Sequence, residues 1–402
     1  MRRQCPNITP QFETAQEGSV RMRTIRGMIF TNKLMFEPGE ITITEDTIKK
    51  MELCREDQLT GEEADCYILP GLIDTHFHGC TGYDFCDGTV DAMRAIATYE
   101  LTHGITTICP ATMTLPEEML ADICTVCAEM IRTELLLEGI PFADVLRGIY
   151  LEGPFISMEK KGAQNPAYVR KADLKMLTRL QQAAEGLIRI VAIAPETKGA
   201  MECIREGKHA FCFSIAHTCA DYETAKEAIR SGAHHVTHLY NAMPPFSHRE
   251  PGVIGAAAED GKTDVELICD GIHIHPSVVK STFKLFGAER VILISDSMMA
   301  AGMEDGEYML GGQSVQVKGN LATLADGTIA GSVRNLFDCM RTAVCMGVPK
   351  EAAVRAATYN PASAIGIEGE CGSLQTGRKA DILITDKKFN LQEVIKSGKT
   401  VR

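Results

Sequence analysis

Leu69-Pro70-Gly71-Leu72-Ile73-Asp74-Thr75-His76-Phe77-His78-Gly79 is the stretch on which the reading of this 402-residue chain turns. Leu72 and Ile73 read as a short buried strand, with Pro70-Gly71 breaking the chain before it and Gly79 after it. Side chains alternate along a strand, so His76 and His78 point the same way. Two neighbouring imidazoles at a strand end suit a divalent metal of borderline softness. A lone His-x-His is also what two polar residues leaving a strand look like, so the rest of the chain has to decide.

Upstream, residues 24–30 and the alternating Glu40-Ile41-Thr42-Ile43-Thr44 read as short strands. The other chain end offers a match, where Gly372-Ser373-Leu374 leads into Ala380-Asp381-Ile382-Leu383-Ile384. The expectation is a small β-sandwich domain built from both ends, residues 1–69 and 361–402, with residues 1 to about 20 polar and loosely ordered. Downstream, strands and helices alternate. Strands are expected at 105–109, 146–152, 188–194, 211–216, 235–238, 265–269 and 291–295, besides the first. Helices are expected at 90–103, from Pro116 to about Leu137 with Thr114 and Glu117 as a capping box, at 172–184 and at 222–231. Eight such strands predict an α/β fold, a (β/α)8 TIM-like barrel over residues 70–360.

The polar residues fall at the ends of these strands. Strand one ends in His76 and His78, strand three in Glu152, strand five in His217, strand six in His238 and strand eight in Asp296. Barrel active sites lie at the C-terminal ends of the strands. Six such side chains from five strands converge on one face, which argues for a metal site. Glu152, His217 and His238 can supply three ligands and leave a position open. His76 and His78 can hold a second metal, with Glu152 between the two. A metal there acidifies water and polarises a carbonyl, and Asp296 is placed to act as general base. In the loops on that face, Arg249 reads either as a bidentate clamp for phosphate or carboxylate or as a surface partner of Glu250.

Several stretches together resemble one family closely. These are residues 70–79, Leu151-Glu152-Gly153-Pro154-Phe155, His217-Thr218 and His238-Leu239-Tyr240-Asn241-Ala242-Met243, with Arg249-Glu250-Pro251-Gly252, Asp270-Gly271-Ile272-His273 and Ser295-Asp296-Ser297. The first is similar to the opening motif of the amidohydrolase superfamily. The set resembles its N-acetylglucosamine-6-phosphate deacetylase family from about Met22 onward. That resemblance implies hydrolysis of the acetamide of N-acetyl-D-glucosamine 6-phosphate to glucosamine 6-phosphate and acetate. It implies metal binding by Glu152, His217 and His238, acid–base work by Asp296, and substrate contacts at Ala163, Gln164, Asn241, Ala242, Arg249, His273, Ile329, Ala330 and Gly331. It further implies a homodimer in which Arg249 reaches the neighbour's phosphate site. Some relatives lack the His-x-His and some carry His at the position of Gln164, so metal number and that contact stay open. One or two divalent ions are expected per subunit, zinc first, with iron, cobalt or manganese accepted by the same donors.

Dihydroorotase-like or hydantoinase-like ring openers usually carry a carboxylated lysine at the end of strand four. Here strand four ends Ala194-Pro195-Glu196, with Lys198 beyond it, and Glu152 takes the bridging place. A non-catalytic scaffold would be expected to lose ligands. An N-acetylgalactosamine-6-phosphate deacetylase would differ at one sugar hydroxyl, which the sequence does not settle.

Bulk properties narrow the partners. The chain is 45% hydrophobic and 23% charged, with formal net charge −12. That argues against wholesale nucleic-acid or membrane-surface binding, and the amino-sugar phosphate that the resemblance implies as ligand needs a local cationic pocket. No P-loop motif is present. The N-terminus lacks an apolar signal core and no run would span a membrane. The 15 cysteines form no framework and read as reduced thiols of a cytoplasmic protein. Cys124 and Cys127, a C-x-x-C inside an apolar-periodic helix, read as core packing.

Overall fold

The computed structural model describes residues 22–402; the expectation of a loose segment over residues 1 to about 20 lies outside the described residues. Eight short parallel strands succeed one another in chain order: Leu72–Asp74, Ile105–Ile108, Ile149–Leu151, Ile188–Ile193, Cys212–Ile215, His235–Val236, Asp264–Ile268 and Val291–Ile294. The last six form one continuous parallel sheet and the first two another. Parallel bridges Ile108–Leu146 and Ala111–Tyr150 join the two. The eighth strand returns to the first where Asp296 N–H donates to His76 O at 3.0 Å and His78 N–H donates to Ser297 O at 2.7 Å. This is the TIM-barrel type of α/β architecture. Strands two and eight are buried throughout, as expected of parallel strands covered on both faces.

Helices Val90–Thr102, Glu117–Arg132, Leu174–Ala183 and Tyr222–Ser231 lie within a few residues of expectation. Their caps are partly different. Thr89 Oγ1 and Asp221 Oδ1 accept N–H groups of the first turns that follow them. Thr114 does not cap its helix: the N-cap is Pro116, without a side-chain bond, and Thr114 N–H donates to Gln164 Oε1 at 2.7 Å. That helix also stops at Arg132 rather than near Leu137. Glu134 takes φ +52, and the chain turns into an antiparallel pair, Leu136–Leu137 with Ile140–Pro141. Cys124 and Cys127 are buried in the core, Cys127 Sγ lying 3.5 Å from Met93 Sδ.

At the N-terminal end of the barrel, Asn360 Nδ2–H donates to Ala288 O and Val291 O. Ala362, Ile365 and Ile367 then pack against Ile73, Tyr150, Ile190 and Ala192 inside the barrel. Side chains thus close that end, leaving the opposite end for the site.

Both chain ends share one seven-stranded sheet. Met22–Phe30, Phe36–Thr44, Thr47–Leu53 and Cys66–Pro70 join Ile382–Asp386, Leu391–Lys396 and Lys399–Thr400, with Cys66–Pro70 pairing antiparallel to Ile382–Asp386. Its isoleucines 25, 29, 41, 43, 48, 68, 382, 384 and 395 form one cluster. A three-stranded antiparallel sheet, Gly306–Leu310, Gln313–Lys318 and Leu321–Thr323, follows the eighth barrel strand and was not expected from the sequence.

Candidate metal centre

The first barrel strand ends at Asp74, so His76 and His78 leave it before pleating can align them. They converge for another reason. Asp74 Oδ1 accepts the N–H of His76 at 3.2 Å, and Ser297 O accepts that of His78. The two rings stand nearly perpendicular, 84° apart, and both present Nε2 to Glu152. His76 Nε2 lies 3.4 Å from Glu152 Oε1, and His78 Nε2 lies 3.3 Å from Glu152 Oε2. From the opposite side, His217 Nε2 and His238 Nε2 approach Glu152 Oε1 at 3.1 and 3.2 Å. Donor atoms of His76, His78 and Glu152 form one compact group, and those of Glu152, His217 and His238 another.

The tautomers explain the direction of these rings. His217 Nδ1 is 2.8 Å from Lys160 O, and a carbonyl can only accept, so Nδ1 carries the proton and Nε2 a lone pair. His78 Nδ1 faces Ala111 O in the same way, and His76 Nδ1 faces the Glu266 carboxylate. His217 and His238 then bring two Nε2 atoms within 3.1 Å of each other, and His76 Nε2 is buried without a hydrogen-bond partner. Facing lone pairs around one carboxylate repel in a buried, low-dielectric setting unless a cation lies among them. The donor set therefore fits divalent metal, in two halves that share Glu152.

Without a cation among these groups, the carboxylates draw protons onto the facing rings of His76 and His78 instead. Burial favours the neutral form of Glu152, but the facing His76 and His217 outweigh it and hold its carboxyl well below the usual range. Burial opposes the charging of His76, yet Glu266 and Glu152 raise its pKa well above that of a free histidine. Asp296 Oδ1 lies 3.4 Å from His78 Nε2 and 3.8 Å from His76 Nε2. Burial pushes its pKa up and those histidines bring it below the ordinary value, so it is an ionised carboxylate. His217, His238 and Asp296 adopt left-handed backbone, with φ +43, +27 and +49. For non-glycine residues such conformations are costly and cluster at functional sites.

The remaining expected residues fall around this centre with different closeness. Gln164 is buried; Nε2–H donates to Glu152 Oε2 at 2.6 Å while Oε1 accepts from Thr114, so both ends of its amide are engaged. Ala163 O accepts from Gln313 of the extra sheet. Asn241 Nδ2–H donates to His238 O, and Ala242 O accepts from Thr218 N–H beside His217. Ser332 N–H donates to Asp296 O at 2.7 Å, which draws Ile329, Ala330 and Gly331 alongside that residue. Gly331 has φ +73, and a Cβ there would lie 3.2 Å from Asp296 O. His273 Nδ1–H donates to Asp270 Oδ2 at 2.7 Å. Arg249 stands apart. It is exposed, and among the described residues neither Glu250 nor another carboxylate pairs with it. Glu196 accepts from Thr218 Oγ1–H and Cys219 N–H, and Lys198 is exposed, so the lysine-bridged alternative has no lysine at the centre.

Sequence reasoning missed Glu266. It is fully buried behind His76, and the signal was a lone charge within the apolar run Val265-Glu266-Leu267-Ile268.

Known proteins resemble this chain over most of its length. The amidohydrolase family model matches residues 67–401. N-acetylglucosamine-6-phosphate deacetylase of Bacillus subtilis (strain 168) is 37% identical over 372 residues, covering 89% of this chain and 91% of that protein. N-acetylgalactosamine-6-phosphate deacetylase of Escherichia coli O157:H7 is 35% identical over 336 residues, covering 83% and 87%. A Mycobacterium smegmatis N-acetyl-D-glucosamine-6-phosphate deacetylase variant, solved in complex with N-acetyl-D-glucosamine-6-phosphate, superposes with TM-score 0.86 at 32% identity, covering 94% of this chain and 99% of that one.

Proposed function

The chain belongs to the amidohydrolase family, and from that premise we propose that it hydrolyses the N-acetyl group of N-acetyl-D-glucosamine 6-phosphate, giving D-glucosamine 6-phosphate and acetate. The observation that carries the reading is a carboxylate, Glu152, shared by two pairs of histidine Nε2 atoms with Asp296 beside them. Glu152, His217 and His238 would hold one metal, and His76 and His78 with Glu152 a second. A bound divalent ion, zinc foremost, supplies Lewis acidity that polarises the acetamide carbonyl and acidifies water.

The protein groups do the rest. Asp296 takes a proton from the attacking water and returns it to the departing nitrogen, so that the amine leaves neutral as the C–N bond breaks. Asn241, Ala242, Ala163, Gln164 and the loop of Ile329, Ala330 and Gly331 border the sugar, while His273 and Arg249 meet the phosphate. The phosphate carries about two negative charges near neutral pH, and the net charge of −12 makes such local donors necessary. Arg249, exposed and without a carboxylate partner among the described residues, reaches the neighbour's phosphate site in a homodimer. The single seven-stranded sheet from both chain ends constitutes a separate small β domain, up to residue 69 and over 361–402, in place of the expected two-sheet sandwich, beside the barrel of residues 70–360. The free thiols of the described cysteines support a cytoplasmic location; among the described residues no helix is long and apolar enough to cross a membrane.

The test is acetate release from N-acetylglucosamine 6-phosphate and N-acetylgalactosamine 6-phosphate by protein of measured metal content. Faster turnover of the gluco sugar is expected. A galacto preference would transfer the assignment to the second sugar, which the 35% identity to the galactosamine enzyme keeps as the alternative. No acetate from either would overturn it. Mixing Arg249→Ala with Asp296→Asn subunits should restore part of the activity; verified heterodimers without restoration would place Arg249 in its own subunit.

A further inference from the structure

We propose that Glu266 is a positioning residue for one half of the centre, setting the affinity of the metal at His76, His78 and Glu152 while leaving the metal at Glu152, His217 and His238 unaffected. The proposal rests on reading the centre as a two-part metal site. Glu266 lies in the seventh barrel strand, Asp264–Ile268, and is fully buried. Its Oε2 accepts the Nδ1–H of His76 at 2.9 Å and the backbone N–H of His238 at 3.3 Å. Its Oε1 accepts the Nε2–H of His235 at 3.0 Å.

The consequence for His76 is specific. With Nδ1 protonated toward a carboxylate, the ring keeps its lone pair at Nε2, the buried unpartnered atom that faces Glu152. A carboxylate behind a metal-ligating imidazole fixes its orientation and raises its basicity, and losing such a partner typically weakens metal binding about 10–100-fold. None of the other three histidines has this support. His78 and His217 hand their Nδ1–H to the carbonyls of Ala111 and Lys160, and His238 Nδ1 is buried without a partner. Of the four rings, His76 alone is thus backed by a full negative charge, and Glu266 reaches His238 only through its backbone N–H, not through its ring. His235 completes the relay. Its Nδ1 is also buried and unpartnered, so its single side-chain hydrogen bond goes to Glu266, and it holds that carboxylate in place.

The experiment is a titration of chelator-stripped full-length protein with cobalt(II), followed by absorption spectroscopy and by metal analysis after dialysis. Wild-type protein should take two equivalents. Glu266→Gln should bind the first as before and the second about 10–100-fold more weakly, with the metal-free variant unfolding near the wild-type temperature. His235 can flip its proton to the free Nδ1 and accept from the glutamine amide, so the substitution removes charge while keeping shape. In His76→Ala/Glu266→Gln the second equivalent should be no weaker than in His76→Ala alone, because both changes act through one ring. Should Glu266→Gln fail to fold, His235→Gln should show the same selective loss in smaller measure. Wild-type affinity for both equivalents in these variants, equal weakening of both, or additive losses in the double variant would overturn the proposal. So would a wild-type protein that takes a single equivalent. Acetate release is measured separately on the same wild-type protein, so failure of the deacetylase reading is distinguishable from failure of this one.

Discussion

Two charge clusters in this molecule, each with buried charges at its heart, contrast with each other. Where the seven-stranded sheet meets the barrel, Lys396 Nζ–H donates to Asp381 Oδ2 at 2.7 Å, Ser397 N–H donates to Asp381 Oδ1 at 2.9 Å, and Lys379 pairs with Asp144. Every charge there has an opposite partner. At the barrel mouth, four histidine Nε2 atoms crowd one glutamate, two of them 3.1 Å apart, with Asp296 adding a second carboxylate. The first cluster is complete and ties the C-terminal strands to the barrel at Asp144. The second is complete only with a cation. A buried ion pair is weak grounds for function, whereas a buried excess of like donors points to the ion that belongs there.

The contrast can be broken most severely at the mouth. His217→Ala or His238→Ala should strip the tighter metal and abolish turnover, a larger loss than the about 10²–10⁴-fold of a missing acid–base group. Full metal occupancy in both variants, read by elemental analysis, would remove the distinction between the clusters. Asp296→Asn comes next. It should keep its metal and substrate affinity while kcat falls by about 10²–10⁴-fold; a variant retaining more than about a tenth of wild-type kcat would show that this carboxylate does not carry the proton.

The junction should respond in stability instead. Lys396→Met leaves Asp381 buried and unpaired, at a cost of about 3–5 kcal/mol, seen as a shift of the denaturant midpoint with kcat per bound metal unchanged. Lys396→Met/Asp381→Asn should recover part of that cost. Loss of kcat in the folded single variant would mean that the two clusters are coupled. The smallest effect belongs to His273. Burial disfavours its charged form, but Asp270 outweighs this and raises its pKa above the ordinary 6.5. The pair's contribution to stability is therefore full below pH about 6.5 and disappears as pH rises through the raised value. It should amount to about 1.5 kcal/mol, absent in His273→Gln, and KM for the phosphorylated sugar should rise over the same interval. A pH-independent difference between the two proteins would exclude the imidazolium from both roles.

Much of the centre was legible because strand-end chemistry is local. A polar residue closing an apolar β-run stands out in the chain, and Glu152, His217, His238 and Asp296 were found in that way. Glu266 escaped because it lies inside such a run, where a charge reads as a flaw in the strand until its partner is known. The capping box at Thr114 failed for a related reason. Its donor is taken by Gln164, 50 positions away, and no local pattern reveals that competition. The antiparallel sheet within residues 306–323 lacks the uninterrupted apolar stretch that marked the barrel strands, its outer positions being exposed.

Local periodicity and residue chemistry by themselves determined the alternation of eight strands with helices, the family motifs, and the face on which the candidate ligands gather. Tertiary structure alone decided which atoms of those ligands meet. His76 and Glu266 are 190 positions apart and Glu152 and His238 are 86 apart. Barrel closure brings each pair within hydrogen-bond distance, and the partners behind the rings of His76, His78 and His217 select the nitrogen that faces the centre. The spacing of residues along a chain carries their chemical identity, whereas the direction of a lone pair depends on contacts that exist only after the barrel has closed.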